Sequence, residues 1–363
     1  MSAQKGRTRF DPKKFFVDVF DPEAGEKVWI LVDDPKDGTS LTDAWKERHC
    51  MAAEWREVFY ELGQERSFHV GLLFAYEATG AHGTELPDDS RLNEILESAS
   101  LIIAMTQFSA TAPLSRAAVA RGGVRALRVA SMPTVEKRME ETALAADYNE
   151  VAKRCHIIGE LLRGAESVTF EFSTGHVCKF DTRFRVPDVD DGYLHRDKQE
   201  RFPGTNPVIN LPAGEAFVVP YEGERVGIPS RTSGTIPVWM DDSIAVFDVD
   251  QNRIVRVSGN DLAAQHFDQY FNVDPARSNI AEVAFGCNSW AEVTGNVLED
   301  EKAGPHWANG RSEHLGGVWG PDKFSKPEHI VHQDYVYAKG CPIFLKRAYI
   351  GDQLVIEDGS YLL

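Results

Sequence analysis

The sequence predicts a chain of two lobes, an N-terminal open α/β sheet and a C-terminal β-rich α+β domain. Three observations carry that prediction. Strand and helix signals alternate up to about residue 165, and beyond it the segments turn β-rich with Gly and Pro punctuation. The length of 363 residues also exceeds what one core serves, since single cores stop growing near about 250–300 residues. An α/β domain is therefore placed at 1–165 and a β-rich domain at 166–363.

In the first lobe "VWILVDD" (28–34) reads as a short buried strand. The following stretch, 40–63, has apolar residues at helical spacing, with Gly63 as its stop. Then come a strand over 68–77, a helix over 88–99, the strand "LIIAMT", a helix over 113–123 and a strand over 125–131. A long helix is expected over 134–164. Strands separated by helices imply parallel βαβ units covered on both faces. Neither GxGxxG nor GxxxxGK[ST] occurs at a βα turn, so a nucleotide site loses its main support.

In the second lobe "SVTFEFSTGHVCKFDTRF" reads as a hairpin turning near Gly175. Residues 187–206 are polar and loop-like. Strand-rich segments follow: "EAFVVPYEG", "GTIPVW", "SIAVFDVDQNRIVRVSG", "IAEVAFGCN", "HIVHQDYVYA" and the C-terminal residues, with one helix at 261–272. This pattern predicts a mainly antiparallel domain.

Composition narrows the partners. A formal net charge of -17 argues against nucleic acid and against an anionic membrane surface. No apolar run is long enough to span a bilayer, and no apolar core follows the basic N-terminus as in a secretory signal. The five cysteines are scattered, odd in number and form no CxxC, which reads as reduced thiols in a cytoplasmic protein.

Chemistry concentrates in the second lobe. His332 and Asp334 stand two apart in "HIVHQDYVY", on one face of a strand, either as a buried hydrogen-bonded pair or as two ligands of one metal. Glu215 in "NLPAGEAFVVP" and Glu282 in "NIAEVAFGCN" are lone carboxylates at the heads of apolar strands, where burial without a partner is costly. His306 lies among small residues in "DEKAGPHWANG". Three carboxylates and two imidazoles suffice for two divalent ions sharing a bridge. Each residue alone is more commonly a solvated strand end or a structural side chain, as for His69, His156 and His176. No HExxH and no G-x-S-x-G occurs, and Cys287 in its apolar setting reads as an inert thiol. Trp239, Trp290, Trp307 and Trp319 fit either a pocket wall or the core.

The order of these stretches resembles the aminopeptidase T family, the thermophilic-type leucyl aminopeptidases. "LPAGEAFVVP" (211–220), "SGTIPV" (233–238), "AEVAFGCN" (281–288), "DEKAGPHWANG" with "LGG" (300–317) and "HQD" (332–334) follow the family's motifs in order and approximate spacing over about 150 residues. The resemblance implies Glu215, Glu282, His306, His332 and Asp334 as ligands of two divalent ions, zinc, cobalt or manganese. It also implies a short-peptide or other small-molecule substrate and a homodimer. The family's "HIALG" is replaced by "HWANG", placing Trp307 beside the ligand and Asn309 two beyond it. A tyrosine that follows in the family has no counterpart. "GRSEHLGG" stands there instead, making Glu313 and His314 catalytic candidates and His314 an alternative ligand to His306. The general base is expected among Glu313, Glu301 and the ligands.

A second branch with the same resemblance comprises the 2,5-dihydroxypyridine dioxygenases, which hold one Fe(II) with two histidines and a carboxylate. Their first histidine corresponds to Glu282, and they lack counterparts of Glu215 and His306. Retention of all five groups favours a metallohydrolase over the dioxygenase, and both over a metal-free binding protein on a retired scaffold.

Overall fold

A computed structural model describes residues 9–36, 39–201, 206–259 and 262–363. The basic residues 1–8, positions 202–205 of the polar stretch and position 261 of the expected helix lie outside the described residues. The chain forms two compact units. One gathers residues 1–152, 190–214 and 288–292; the other gathers 153–189, 215–287 and 293–363.

The first unit is built on a six-stranded sheet. Lys27–Asp34 is flanked on one edge by His69–Val70 and Phe74–Glu77, and on the other by Leu101–Met105, Arg128–Ser131 and Val208–Asn210, all parallel. Leu101–Met105 is buried throughout, as befits a parallel strand covered on both faces. The expected strand 68–77 is interrupted because Gly71 passes directly under Trp29, where a Cβ would come within 2.4 Å of the indole. The helix Asp43–Arg66 runs through Gly63 and ends on Ser67 in the left-handed conformation. Gly63 is needed instead for close packing, since a Cβ there would meet the Phe68 carbonyl at 2.8 Å. The long helix expected from 134 starts only at Tyr148. Two 3₁₀ turns precede it, and Thr142 (φ -124, ψ -116) breaks helical geometry between them.

A helix that pattern reading missed, Pro12–Phe20, is capped by Asp11 accepting from the N–H groups of Lys13 and Lys14, with Pro12 at its first position. It buries Phe15, Phe16, Val19 and Phe20, and Phe16 stacks on Phe59 at 3.8 Å between centroids.

The second unit contains an eight-stranded sheet in the order 253–258, 243–250, 233–240, 177–181, 167–172, 345–350, 353–357, 360–361. The expected hairpin turns at Gly175 (φ 85); Asp241–Asp242 turn the one between 233–240 and 243–250, and Gln251–Asn252 the one after it, all with positive φ. Four consecutive strands of a five-stranded sheet follow the order His332–Val336, Pro305–Gly310, Ile280–Gly286, Glu215–Val218, each antiparallel to its neighbour. One face of this sheet packs on the larger one. Phe285 meets Phe170 at 5.7 Å, Trp307 meets Phe247 at 6.1 Å and stacks on Tyr335 at 4.7 Å, and the Trp307 indole N–H donates to the Tyr337 hydroxyl. Period-two alternation therefore turns residues 282, 306 and 334 to the opposite face.

Candidate metal centre

Strand register determines what shares that face. Glu282 pairs with Ala308, and Ala308 with Asp334; Gly310 pairs with His332, Ala284 with His306, and Gly286 with Glu215. Residues paired across strands project to the same side, so the five polar side chains stand among Ala284, Gly286, Ala308 and Gly310. The small neighbours leave open space above the sheet. Gly310 is required twice over: its φ is +105, and a Cβ would lie 2.3 Å from the Val331 carbonyl.

All five sequence candidates converge. Glu215, Glu282 and His306 present ligand atoms within 4.8 Å of one another, and so do Glu282, His332 and Asp334. Glu282 belongs to both sets. His306 Nε2 lies 3.3 Å from Glu215 Oε2 and 4.0 Å from Glu282 Oε1. His332 Nε2 lies 3.0 Å from Glu282 Oε2 and 3.6 Å from Asp334 Oδ1. Each imidazole spends Nδ1–H on a backbone carbonyl, of Gly304 for His306 and of Arg311 for His332. That bond fixes the ring and turns Nε2 toward the carboxylates, the arrangement a metal-binding histidine uses.

The donors fit a cation. Glu215 Oε2, His306 Nε2 and Asp334 Oδ1 are buried and have no hydrogen-bond partner among the described residues. Leaving several such atoms facing one another is costly, and a divalent ion satisfies them together. In the metal-free chain protons take part of that role. Burial disfavours the charged imidazoles, but Glu215 outweighs it at His306, raised to about 9, and Asp334 with Glu282 outweighs it well above the ordinary range at His332. Burial likewise raises Glu282, with the like charge of Glu215 adding and His332 opposing. At Glu215 burial is overcome by Lys302 and His306, which bring it down to about 2.

Two neighbouring groups escaped the sequence reading. Lys302, on the helix Val297–Ala303, is fully buried and places Nζ 2.5 Å from Glu215 Oε1 and 2.7 Å from Glu301 Oε1. The helix end comes this close because Gly286 has no side chain; a Cβ there would lie 2.5 Å from the Glu301 carbonyl. A lysine beside two acids in "LEDEKAG" gives no signal of burial. Glu222 is the second. Its carboxylate accepts from Asn279 Nδ2 (2.8 Å), Ser312 Oγ (2.6 Å) and Val318 N–H (2.7 Å), and pairs with Arg185 at 3.2 Å. It clasps the loop that begins at Arg311, whose carbonyl orients His332.

The other candidates separate. His306, not His314, stands with Glu215 and Glu282. The His314 ring packs edge-on against His332 with centroids 4.9 Å apart. Burial pushes His314 down to about 4. Glu313 is held at about 2, where His314 and Arg311 outweigh burial, and its carboxylate is engaged by the Arg311 guanidinium. Glu301 is pushed up to about 8 by burial and by the charges of Glu215 and Asp334, against Lys302. Trp307 and Asn309 lie on the far face. Trp307 is core, and Asn309 Nδ2 donates to the Arg277 carbonyl and the Tyr270 hydroxyl. Neither side chain shares the face that carries Glu282 and His306. Trp319 stacks under Arg253, and Trp239 is partly exposed at the surface. The five cysteines are free, as expected, and no helix among the described residues is long and apolar enough to cross a membrane.

No protein-family model and no curated protein matches the chain. The fold nevertheless has counterparts, and they are the two kinds of protein the motif order resembles. 2,5-Dihydroxypyridine dioxygenase from Pseudomonas putida KT2440 aligns over 98% of both chains with a TM-score of 0.64 and 15% identity. AmpT from Thermus thermophilus aligns over 97% of this chain and 99% of its own, with a TM-score of 0.57 and 12% identity. At such identities the likeness is one of fold: an α/β plus α+β architecture shared along the whole length.

Proposed function

We propose that the chain is a metal-dependent hydrolase of the aminopeptidase type, acting on an amide or related bond of a small substrate. The observation that carries this reading is Glu282 standing in two three-residue sets at once, each with at least one buried atom that lacks a hydrogen-bond partner among the described residues. A carboxylate offered to both sets suits two ions better than one. Glu215 and His306 would complete one position, and His332 and Asp334 the other. Bound there, divalent ions supply Lewis-acid polarisation of a carbonyl and a water acidic enough to ionise near neutral pH.

The protein's own side chains do the rest. Nδ1–H bonds to Gly304 and Arg311 keep both imidazoles aimed while a substrate exchanges with solvent. His314, low in basicity and neutral at pH 7, stands against His332 with a third of its side chain open. It is placed to accept and pass on the proton released by an attacking water. Glu313 suits this task less, because its low basicity and its pairing with Arg311 leave it to orient His314. Glu301 pairs with Lys302 behind Glu215 and serves the ligands rather than the substrate.

The ring-cleaving dioxygenase is the second reading, and the higher TM-score and identity of the dioxygenase alignment favour it. A histidine at 282 would have favoured it further; here Glu282 stands there. Elemental analysis of purified protein, with turnover of dipeptides and of dihydroxylated rings in air and under argon, separates the two. Zinc, cobalt or manganese with dipeptide cleavage under argon sustains the hydrolase. Iron with oxygen uptake on an aromatic ring replaces it with the dioxygenase.

A further inference from the structure

We infer that Lys302 makes the two halves of the centre unequal: the Glu282–His332–Asp334 position fills first and tightly, and the Glu215–Glu282–His306 position fills second and weakly. This rests on the metal reading above and goes beyond it by ranking the positions and naming the residue responsible.

The two sets contain the same ligand types, two carboxylates and one imidazole, with Glu282 common to both. What differs is what stands behind them. Glu215 is already engaged through Oε1 by the Lys302 ammonium at 2.5 Å, leaving only Oε2 without a partner. Among the described residues no lysine or arginine pairs with Asp334; its charged neighbour is His332 at 3.6 Å, a fellow ligand that gives up its proton when a metal enters. A divalent ion at Glu215 must therefore share that carboxylate with a fixed positive charge, and one at Asp334 need not. Like charges held a few ångströms apart in a poorly solvated site repel strongly even at moderate effective dielectric.

Lys302 cannot escape this position. Its side chain has no exposed surface, and its helix end is seated on Gly286, the residue paired with Glu215 in the strand register. The same burial keeps Lys302 from touching a substrate, so it acts through Glu215 and is a positioning residue. A second partner, Glu301, lies 2.7 Å away on the side chain that precedes it and offers no ligand atom to either set. An ammonium fixed behind one ligand is thus a built-in competitor for one metal position and not for the other.

The test is calorimetric titration of the metal-free full chain with Zn²⁺ alone, at fixed pH and salt, for wild type, Lys302→Met and Glu215→Gln. Wild type should bind in two steps whose dissociation constants differ at least about 100-fold. Lys302→Met, which keeps an unbranched stem one atom shorter and removes the charge, should tighten the second step about tenfold or more and leave the first within about threefold. Glu215→Gln should abolish the second step and spare the first. Crystals loaded with one equivalent of Mn²⁺ should show the anomalous peak between Glu282, His332 and Asp334.

Two equal steps in wild type would overturn the inference, as would a peak beside Glu215 or a Lys302→Met protein whose second step is unchanged or weaker. If Lys302→Met does not fold, as judged by its thermal transition, the Glu215→Gln titration and the Mn²⁺ position decide alone. Loss of both steps in Glu215→Gln then counts against it. Failure of the underlying reading looks different, because wild type would bind no ion more tightly than a His332→Ala control does.

Discussion

Two buried carboxylates, Asp33 in the first unit and Glu282 in the second, show how a structural acid differs from a candidate metal ligand. Asp33 ends the strand Lys27–Asp34 beside Leu101–Met105, where the strand order changes direction and open parallel sheets commonly bind ligands. There the chain has closed on itself. Asp33 accepts from the Trp45 indole N–H (2.9 Å) and from the backbone N–H groups of Gln107 (2.8 Å) and Phe108 (3.2 Å). Arg48 keeps one unpaired Nε nearby in sequence, a single donor with no convergent partners. Glu282 is also buried, yet around it Glu215 Oε2, His306 Nε2 and Asp334 Oδ1 converge without a hydrogen-bond partner among the described residues. Satisfied donors mark an acid that holds a fold; convergent unsatisfied ones mark an acid held ready for something else.

The largest expected contrast comes from removing each acid. Glu282→Ala should weaken metal binding at both positions by more than about 100-fold, because a direct ligand counts for at least as much as an outer partner. It relieves repulsion with Glu215 but gives up the bond to His332 Nε2, so its cost to the metal-free protein should be smaller than that of removing Asp33. Asp33→Ala should leave the metal content intact and cost about 3 kcal/mol of stability by stranding three partly buried donors. Metal analysis and denaturant unfolding of both variants check this. The comparison fails if Asp33→Ala loses metal or if Glu282→Ala unfolds the apo chain.

A smaller effect concerns His314. His314→Gln should lower turnover by about 100-fold while metal stoichiometry stays at the wild-type value. With His314 pushed down to about 4, wild-type turnover should rise with pH through that value and lie flat toward neutrality. An unchanged acid limb in the variant would remove His314 from the reaction.

The smallest effect is in protons. His306 is raised to about 9 and His332 higher still, so each contributes stability to the metal-free fold that is complete below the ordinary histidine value of 6.5. For His306 it is lost as pH rises through about 9. Metal loading at pH 7 should therefore release about two protons per chain, and affinity should grow as pH rises. Calorimetry in buffers of different ionisation enthalpy measures the release. A value near zero would mean that the imidazoles are not displaced from their protons.

Much of the candidate centre was legible in the sequence because its side chains are few, polar and embedded in apolar strands. Glu215, Glu282, His306, His332 and Asp334 each break such a run, and strand periodicity places His332 and Asp334 together. Lys302 and Glu222 were not legible, since an isolated lysine or glutamate in a polar segment is ordinarily solvated. Their burial depends on contacts with Glu215 and with Ser312, 87 and 90 residues away in sequence. The fold shows the same division. The alternating strands of the first half were readable, whereas Val208–Asn210, a three-residue strand of the same sheet, carries too little pattern to be seen alone. The helix Pro12–Phe20 did carry a signal, because Asp-Pro before a spaced apolar run is a capping signature.

The alternation along Pro305–Gly310 has one more consequence. His306 points to the acids and Trp307 to the aromatic layer. If that strand docked one residue out of step, an indole would be thrust among carboxylates and an imidazole into the greasy interior. Mispaired chains would thus be penalised on both surfaces together, so assembly of the candidate centre is proofread by the very packing that completes the domain.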